Sequence, residues 1–445
     1  MIEVLRHPVY ARLFSAQVIA LVGTGLLTVA LGLLAFDLAG DRAGAVLGTA
    51  FAIKMIAYVG LAPIASALVE RWPRKQVLIG ADLLRAGVAL MLPFVDQTWQ
   101  IYVLIFVLQA ASATFTPAFQ ATIPDILEDE RDYTRALSLS RLAYDLENLL
   151  SPALAGLLLL VMGYHWLFSG TVLGFVGSAL LVYSAVIPQA RAQPISRPFV
   201  DRLTRGVRIY LATPRLRGLL ALNLTAASAG AFVLVNTVVM VRSGYGAGDT
   251  EVAIALAAFG AGSMVSALVL PRLLEAVADR SAMMVAGALL ALLTLSHAAY
   301  LLGDGLLGWV GFLLAWGLSG VFYSAILTPS GRLLRISAHA EDRPALFTAQ
   351  FTLSHACWLL AYPVAGWVGL RFGLPVAMAL LGLMALAGVL MARAVWPADD
   401  HAVLEHEHAD LAPDHPHLRA HPATGVRHRH AFVIDDEHRA WPTHG

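Results

Sequence analysis

A chain of 445 residues that is 58% hydrophobic, 13% charged and formally neutral, with mean hydropathy +0.70, lies outside the range of soluble domains; those carry about 25% charged residues. It reads as an integral membrane protein, and its charge balance gives no footing for nucleic acid. The single cysteine, Cys357, excludes an intramolecular disulfide and a thiolate cluster, and the scarcity of soft sulfur ligands disfavours copper(I).

The polar N-terminus, 1–14, leads into a charge-free stretch from Leu13 to Phe36. That stretch is too long for a signal-peptide core and has no well-placed small-x-small cleavage site, so it reads as a retained first span. Runs able to cross ~30 Å of hydrocarbon then recur. Those at 99–124, 218–241, 252–271, 281–303, 305–331, 344–370 and 372–392 lack charge, and those at 44–69, 76–95 and 135–161 carry a few charges each. The run 148–190 has no Asp, Glu, Lys or Arg and exceeds one helix, with a turn predicted at Gly163-Tyr164-His165. The expectation is an all-α polytopic protein of twelve transmembrane helices in two six-helix bundles, followed by a disordered tail.

Basic residues set the topology. Alternate loops hold 17 Lys and Arg, including Arg71, Arg74, Lys75, Arg272, Arg280, Arg332 and Arg335, whereas the opposite loops hold only Arg42, Arg242 and Arg371. The positive-inside rule then predicts both termini in the cytoplasm. The Arg- and Pro-rich stretch 188–215 divides a first bundle, 1–187, from a second, 216–397, and 398–445 forms the tail. The halves resemble each other. Pro152 follows Thr116-Pro117 by 35 residues and Pro363 follows Thr328-Pro329 by 34, a repeat at an offset of about 211 that parallel duplication would leave.

With these features the chain resembles the major facilitator superfamily over roughly 1–397. The segment Ser66-Ala-Leu-Val-Glu70-Arg71-Trp-Pro73-Arg74-Lys75 is similar to that family's loop signature, Gly-x-Leu-Ala-Asp-Arg-x-Gly-Arg-Arg, with Ser66, Glu70 and Pro73 departing from it. The resemblance implies a conformational loop in which Glu70 is the anion among Arg71, Arg74 and Lys75; the plainer alternative is an ordinary positive-inside loop. Glu147-Asn-Leu-Leu-Ser151-Pro152-Ala-Leu-Ala155-Gly156 resembles the exporter signature Gly-x-x-x-Gly-Pro-x-x-Gly-Gly, with Glu147, Ser151 and Ala155 in place of glycines. Ser151, Pro152 and Gly156 carry that likeness, and the alternative is a generic packing face beside a kink. Within the superfamily the chain resembles the enterobactin-exporter and macrolide-efflux group, and through its tail bacterial nickel-resistance exporters, which implies a place in a bacterial inner membrane.

A charge in mid-span costs roughly 2.5–3.5 kcal/mol on insertion scales, so each asks for a reason. Lys54, Asp145, Glu147 and His355 are the candidates for proton coupling or the substrate path, Lys54 serving as counter-charge to an acid. Arg141 with Asp145, and Asp82 with Arg85, read more simply as structural pairs. His297 reads as bland and near an interface. No His-x-x-x-His or Glu-x-x-His lies in a span, so ligands for a transported metal would converge from different helices.

Ten of the fifteen histidines fall in the last 45 residues: His401, His406, His408, His415, His417, His421, His428, His430, His438 and His444. They are interleaved with carboxylates and prolines and form three His-x-His pairs, a composition that suits a mobile tract gathering nickel, cobalt or zinc. The apolar residues of 432–441 are expected to dock on the cytoplasmic face.

The functional expectation is a proton-coupled secondary exporter, an antiporter of divalent metal, nickel or cobalt foremost, conferring metal resistance. The alternatives are an exporter of a drug or siderophore-like solute with a metal-responsive tail, and a non-transporting sensor. No nucleophile–base pair, phosphate loop or catalytic metal motif suggests an enzyme, and no cofactor is required beyond metal bound by the tail. The expected partners are the lipid bilayer, protons and a small solute or metal ion, with the protein acting as a monomer.

Overall fold

The computed structural model describes residues 2–61, 72–127, 129–187, 199–339, 342–399, 403–407, 423–424, 427–435, 437–438 and 440–441. The first half contains α1 (Pro8–Ala39), α2 (Ala43–Ile56, continued by a π turn, Ala57–Leu61), α3 (Arg74–Met91), α4 (Thr98–Ile126), α5 (Glu130–Leu159) and α6 (His165–Ser184). A connecting helix, α7 (Phe199–Ala212), leads to α8 (Pro214–Val239), α9 (Asp249–Leu273), α10 (Asp279–Gly303) and α11 (Trp309–Leu327). A short α12 (Ser330–Ile336) precedes α13 (Arg343–Pro363); a π turn (Val364–Val368) and α14 (Gly369–Phe372) continue it, and α15 (Leu374–Val395) follows.

Ten helical stretches among the described residues are long and apolar enough to cross a membrane. The first, Pro8–Leu61, contains both α1 and α2, and the more highly charged α5 brings the number to twelve. Gly40, at φ +54°, makes the reversal between α1 and α2, a conformation that favours glycine. The turn expected at residues 163–165 falls between α5 and α6.

Both halves pack by one plan. In the first, α1 packs on α6, α3 on α4 and α6, and α2 on α4. In the second, α8 packs on α15, α10 on α11 and α15, and α9 on α11. These pairs correspond helix for helix, as duplication requires. The halves meet through α2 against α13 and α5 against α9, which are themselves equivalent under that correspondence.

The apolar core is divided along the helix axes. One cluster joins both halves and takes in Leu34, Leu47, Phe51, Phe168, Phe232, Val239, Phe312 and Tyr362. At the opposite end, toward α7, each half keeps its own cluster: Tyr10, Leu78, Phe115 and Ile123 in the first; Tyr210, Leu216, Leu333 and Trp396 in the second. The bundles are therefore sealed together away from α7 and have separate cores on its side.

Two sequence expectations change. The stretch 188–215, read as a connecting loop, includes α7, which is seated on the second half. Arg205 makes a buried, bidentate pair with Asp342 (2.5 and 2.8 Å), and Tyr210 donates to Gln350 at 2.5 Å. The tail, expected as disordered, pairs where it is described into an antiparallel sheet of β1 (Val403–Glu407), β2 (Ala423–Thr424) and β3 (Arg427–Ala431), in the order β1-β3-β2. Prolines excluded a long helix there, but the alternation Glu-His-Glu and Arg-His-Arg is also a strand pattern.

Candidate functional site

Lys54 lies in the last turn of α2, and its ammonium stands 5.7 Å from the centre of the Tyr58 ring one turn on. Lys54 and Glu147 of α5 act on each other electrostatically. Tyr58 reaches across to the second half, 5.5 Å from Phe351 and edge-on to His355 at 5.2 Å. The His355 ring lies over Phe351 at 4.0 Å, and its Nδ1 is 2.6 Å from the Phe351 carbonyl, one turn earlier on α13. All five side chains are half-buried. Three of the four residues expected on the coupling path thus converge where the halves meet. Asp145 is on the same helix as Glu147, but its side chain lies outside the described residues.

Sequence reasoning missed Tyr58 and Phe351, although the Lys54–Tyr58 spacing of four placed both on one helix face. It also missed Gly44-Ala-Val-Leu-Gly48, a small-xxx-small pair that lets helices approach closely. A Cβ at Gly48 would meet the Tyr362 carbonyl oxygen at 2.7 Å, and one at Gly366 would meet that of Gly44 at 2.5 Å. Trp367 donates to Thr49 at 3.1 Å, and Ser243 donates to Asp41, so polar contacts also join the halves on this side. The helix of Lys54 and that of His355 each pass through a π turn, a feature frequent at functional sites.

The exporter-motif residues lie at helix contacts. Ser151 is buried against Gly25 of α1, and a Cβ on Gly156 would stand 3.3 Å from that of Ala253 on α9, across the two halves. The side chain of Pro152 lies outside the described residues. Of the loop motif, Glu70 and Arg71 are outside them too, and Arg74 opens α3. Lys75 donates to the Ala185 carbonyl at 2.9 Å, capping the end of α6, and lies over the Tyr183 ring at 5.3 Å.

Asp82 and Arg85 form a buried ion pair. Ser178 donates to Asp82 at 2.7 Å, and the guanidinium is flanked by Phe115 and Phe175 at 4.4 and 4.5 Å. This is a structural tie between α3, α4 and α6. His297, read as bland, is buried at 4% exposure, edge-on to Trp316 at 5.6 Å.

The sheet docks on the α7 side of the second half. Leu404, Phe432 and Ile434 join the cluster of Tyr210, Leu216 and Trp396, and the Arg215 guanidinium lies over the Trp441 ring at 5.3 Å. Asp435 accepts from the His438 backbone at 2.7 Å, pairs with His438 Nδ1 at 2.9 Å and with His339 Nε2 at 3.3 Å. Burial pushes the Asp435 carboxyl up, but the His438 and Glu437 contacts outweigh it and hold it well below the usual carboxylate range. His430 and His438 are described. His406 and His428 have placed backbones only, and His401, His408, His415, His417, His421 and His444 lie outside the described residues. Among the described residues, no group of three or more His, Cys, Asp or Glu side chains is arranged to hold a metal.

Two bundles of matching packing, joined at a polar and aromatic contact and crossing a membrane, define a multi-pass solute transporter and not an enzyme. The family model described as Major Facilitator Superfamily matches residues 13–299, and the chain belongs to that family. It is 25% identical over 393 residues to the uncharacterized MFS-type transporter YfiS of Bacillus subtilis (strain 168), covering 84% of this chain and 92% of that protein. It is 26% identical over 215 residues to macrolide efflux protein A of Streptococcus pyogenes, covering 47% of this chain and 52% of that protein. A mutant of the nucleoside transporter NupG shares the fold, with a TM-score of 0.70 at 13% identity over 87% of this chain and all of that one.

Proposed function

We propose that this transporter is a proton-coupled exporter that carries a divalent metal ion, nickel or cobalt, out of the bacterial cytoplasm across the inner membrane, working as a monomer. The observation that carries the reading is the concentration of ten of fifteen histidines in a C-terminal segment whose described residues Leu404, Phe432 and Ile434 pack on the α7 side, the side the basic loops assign to the cytoplasm. Imidazole suits these metals. Glu147, Lys54 and His355 supply what coupling needs: a carboxylate and an imidazole that take up or release protons or ligate a cation, and an ammonium that neutralises the carboxylate when both are vacant. The separate cores on the α7 side support reading this arrangement as the cytoplasm-open state of an alternating cycle. The test is nickel and cobalt uptake into inside-out vesicles with an imposed proton gradient, alongside growth of a deletion strain. Equal tolerance of both metals with and without the gene would sink the reading.

A second reading, export of an amphipathic organic solute, is favoured by the aromatic character of the contact between halves. Phe51 lies 5.1 Å from Tyr362, and Tyr58 meets Phe351 and His355. The macrolide efflux relatives point the same way. Uptake of a labelled macrolide by the same vesicles, without metal uptake, would establish this reading over the first.

A further inference from the structure

Asn236 sits on α8 at a point where three helices meet. It is 1% exposed, and its amide nitrogen donates to the Ala365 carbonyl at 3.0 Å, inside the π turn Val364–Val368. A π turn takes its hydrogen bonds one residue further along than an α-helix does, so a carbonyl at its edge loses its regular partner. In an α-helix the Ala365 carbonyl accepts from the Gly369 N–H, four residues on. That N–H is turned to the Gly366 carbonyl, and the Asn236 amide stands in its place.

The amide oxygen faces the first half. A Cβ on Gly44 of α2 would come within 2.8 Å of it, with the next atom, Cγ2 of Val239, at 3.8 Å. Among the described residues this buried oxygen has no hydrogen-bond donor, and the Gly44 Cα–H that faces it is a weak partner. A buried acceptor without a donor costs free energy, which water returns once that side opens.

The same π turn makes the contact between the halves. Gly366 packs against Gly44 and Gly48, and Trp367 donates to Thr49. One residue of α-helix is about 100° of rotation. Rewinding the turn into α-helix removes one residue of bulge and swings Gly366 and Trp367 off α2. The piece that must turn is short, 364–372, and ends at Gly373, whose φ of +89° already breaks the helix before α15.

We propose that Asn236 is the positioning residue of the seal on the side away from α7. Its amide holds α13 in the π turn that presents Gly366 and Trp367 to α2, and that side opens by releasing the amide and rewinding the turn. The inference concerns the transport cycle and holds for a metal or an organic solute alike.

The experiment is pulsed electron–electron distance measurement on the purified full-length protein carrying C357A, with spin labels attached through Arg42→Cys and Asp304→Cys. Both positions are exposed, just beyond the ends of α1 and α10, one in each half. Asn236→Ala is expected to raise the share of long distances, with the outer side open, at least about threefold. Gly44→Ala, whose Cβ strikes the amide, is expected to act in the same direction. In the N236A background it has no amide to displace, so the double variant should match N236A. The turn itself is read by a second pair, T49C/W367C, joined by a short bifunctional thiol reagent. Joining is expected to slow several-fold in N236A. Should the cavity left by alanine prevent folding, Asn236→Leu fills it without a donor and must give the same two results. Unchanged distances or an unchanged joining rate, even with a lowered unfolding midpoint, would make Asn236 a packing residue and overturn the proposal. So would a G44A effect as large without the amide as with it.

Discussion

Lys54 and Glu147, on helices α2 and α5, balance each other's charge beside the contact between the two halves. Neither has a charged partner one helical turn away that would explain it as a local pair, and Tyr58 links their surroundings to His355 in the other half. Glu147→Gln removes the carboxylate and leaves the ammonium uncompensated in a largely apolar setting. Removing one partner of a fully buried pair costs about 3–5 kcal/mol, so these half-buried groups should lose less than that, and removing both charges is milder still. The single variant is therefore expected to lower both yield and transport, and K54M/E147Q to recover yield without recovering substrate-dependent proton flux in liposomes. Full proton flux in the double variant would show that the pair is structural.

The close approach of α2 to the end of α13 should hold the halves together on the side away from α7. A Cβ at Gly366 would come within 2.5 Å of the Gly44 carbonyl oxygen, a backbone atom that cannot swing aside. Gly366→Val is expected to force this contact apart and shift the population toward the state open on that side. A cysteine replacing Val239, which is buried beside Gly44, in a protein whose Cys357 is changed to alanine, reports the shift: membrane-impermeant thiol reagents should label it several-fold faster in the Gly366→Val background. Equal labelling rates would show that the contact does not seal the closed side.

Docking of the tail rests on a few apolar side chains and one carboxylate. Phe432 is 3% exposed and lies edge-on to Trp441 at 5.0 Å. Truncating a buried Phe to Ala typically costs about 3–5 kcal/mol, enough to release an element this small. Phe432→Ala should therefore speed tryptic cleavage at Arg427 and Arg429 by at least about tenfold, with the helices still resistant. Asp435→Asn, which weakens the contacts to His438 and His339, should give a smaller increase in the same assay. No change in either variant would contradict the docked arrangement.

The helices were legible because charge-free runs of about twenty residues have few other uses. The twelve-span count, the duplication and the turn near Gly163 all followed from where charges and prolines fall. The convergence of Lys54, Glu147 and His355 was legible only as a list, because insertion cost marks a residue as unusual without saying what faces it. The tail misled for a specific reason. His-x-His has the same period as a strand, and a short sheet of charged and imidazole side chains has almost none of the β-branched residues that announce one. The apolar residues around Phe432 were the part of that segment whose docking could be read in advance, because buried area is non-directional and needs no register.

Asp82 and Arg85 offer the cleanest separation of structure from transport. The pair is buried inside the first bundle and tied to Ser178, with aromatic rings on both sides of the guanidinium. Arg85→Ala strands the carboxylate and should destabilise the protein by about 3–5 kcal/mol, seen as a lower unfolding midpoint in detergent. Asp82→Asn keeps the shape and the Ser178 contact but discharges one partner, leaving the guanidinium between its aromatic faces, where cation–π contact adds about 2 kcal/mol or more when desolvated. Its loss of stability should be the smaller. Replacing both, D82L/R85M, fills similar volume without charge and should unfold near the unaltered protein's midpoint, since apolar substitution of a buried pair is often neutral or stabilising. In every variant that folds, the ratio of metal to organic-solute transport should be unchanged. A variant that keeps its midpoint but changes that ratio would move this pair from the scaffold to the transport path.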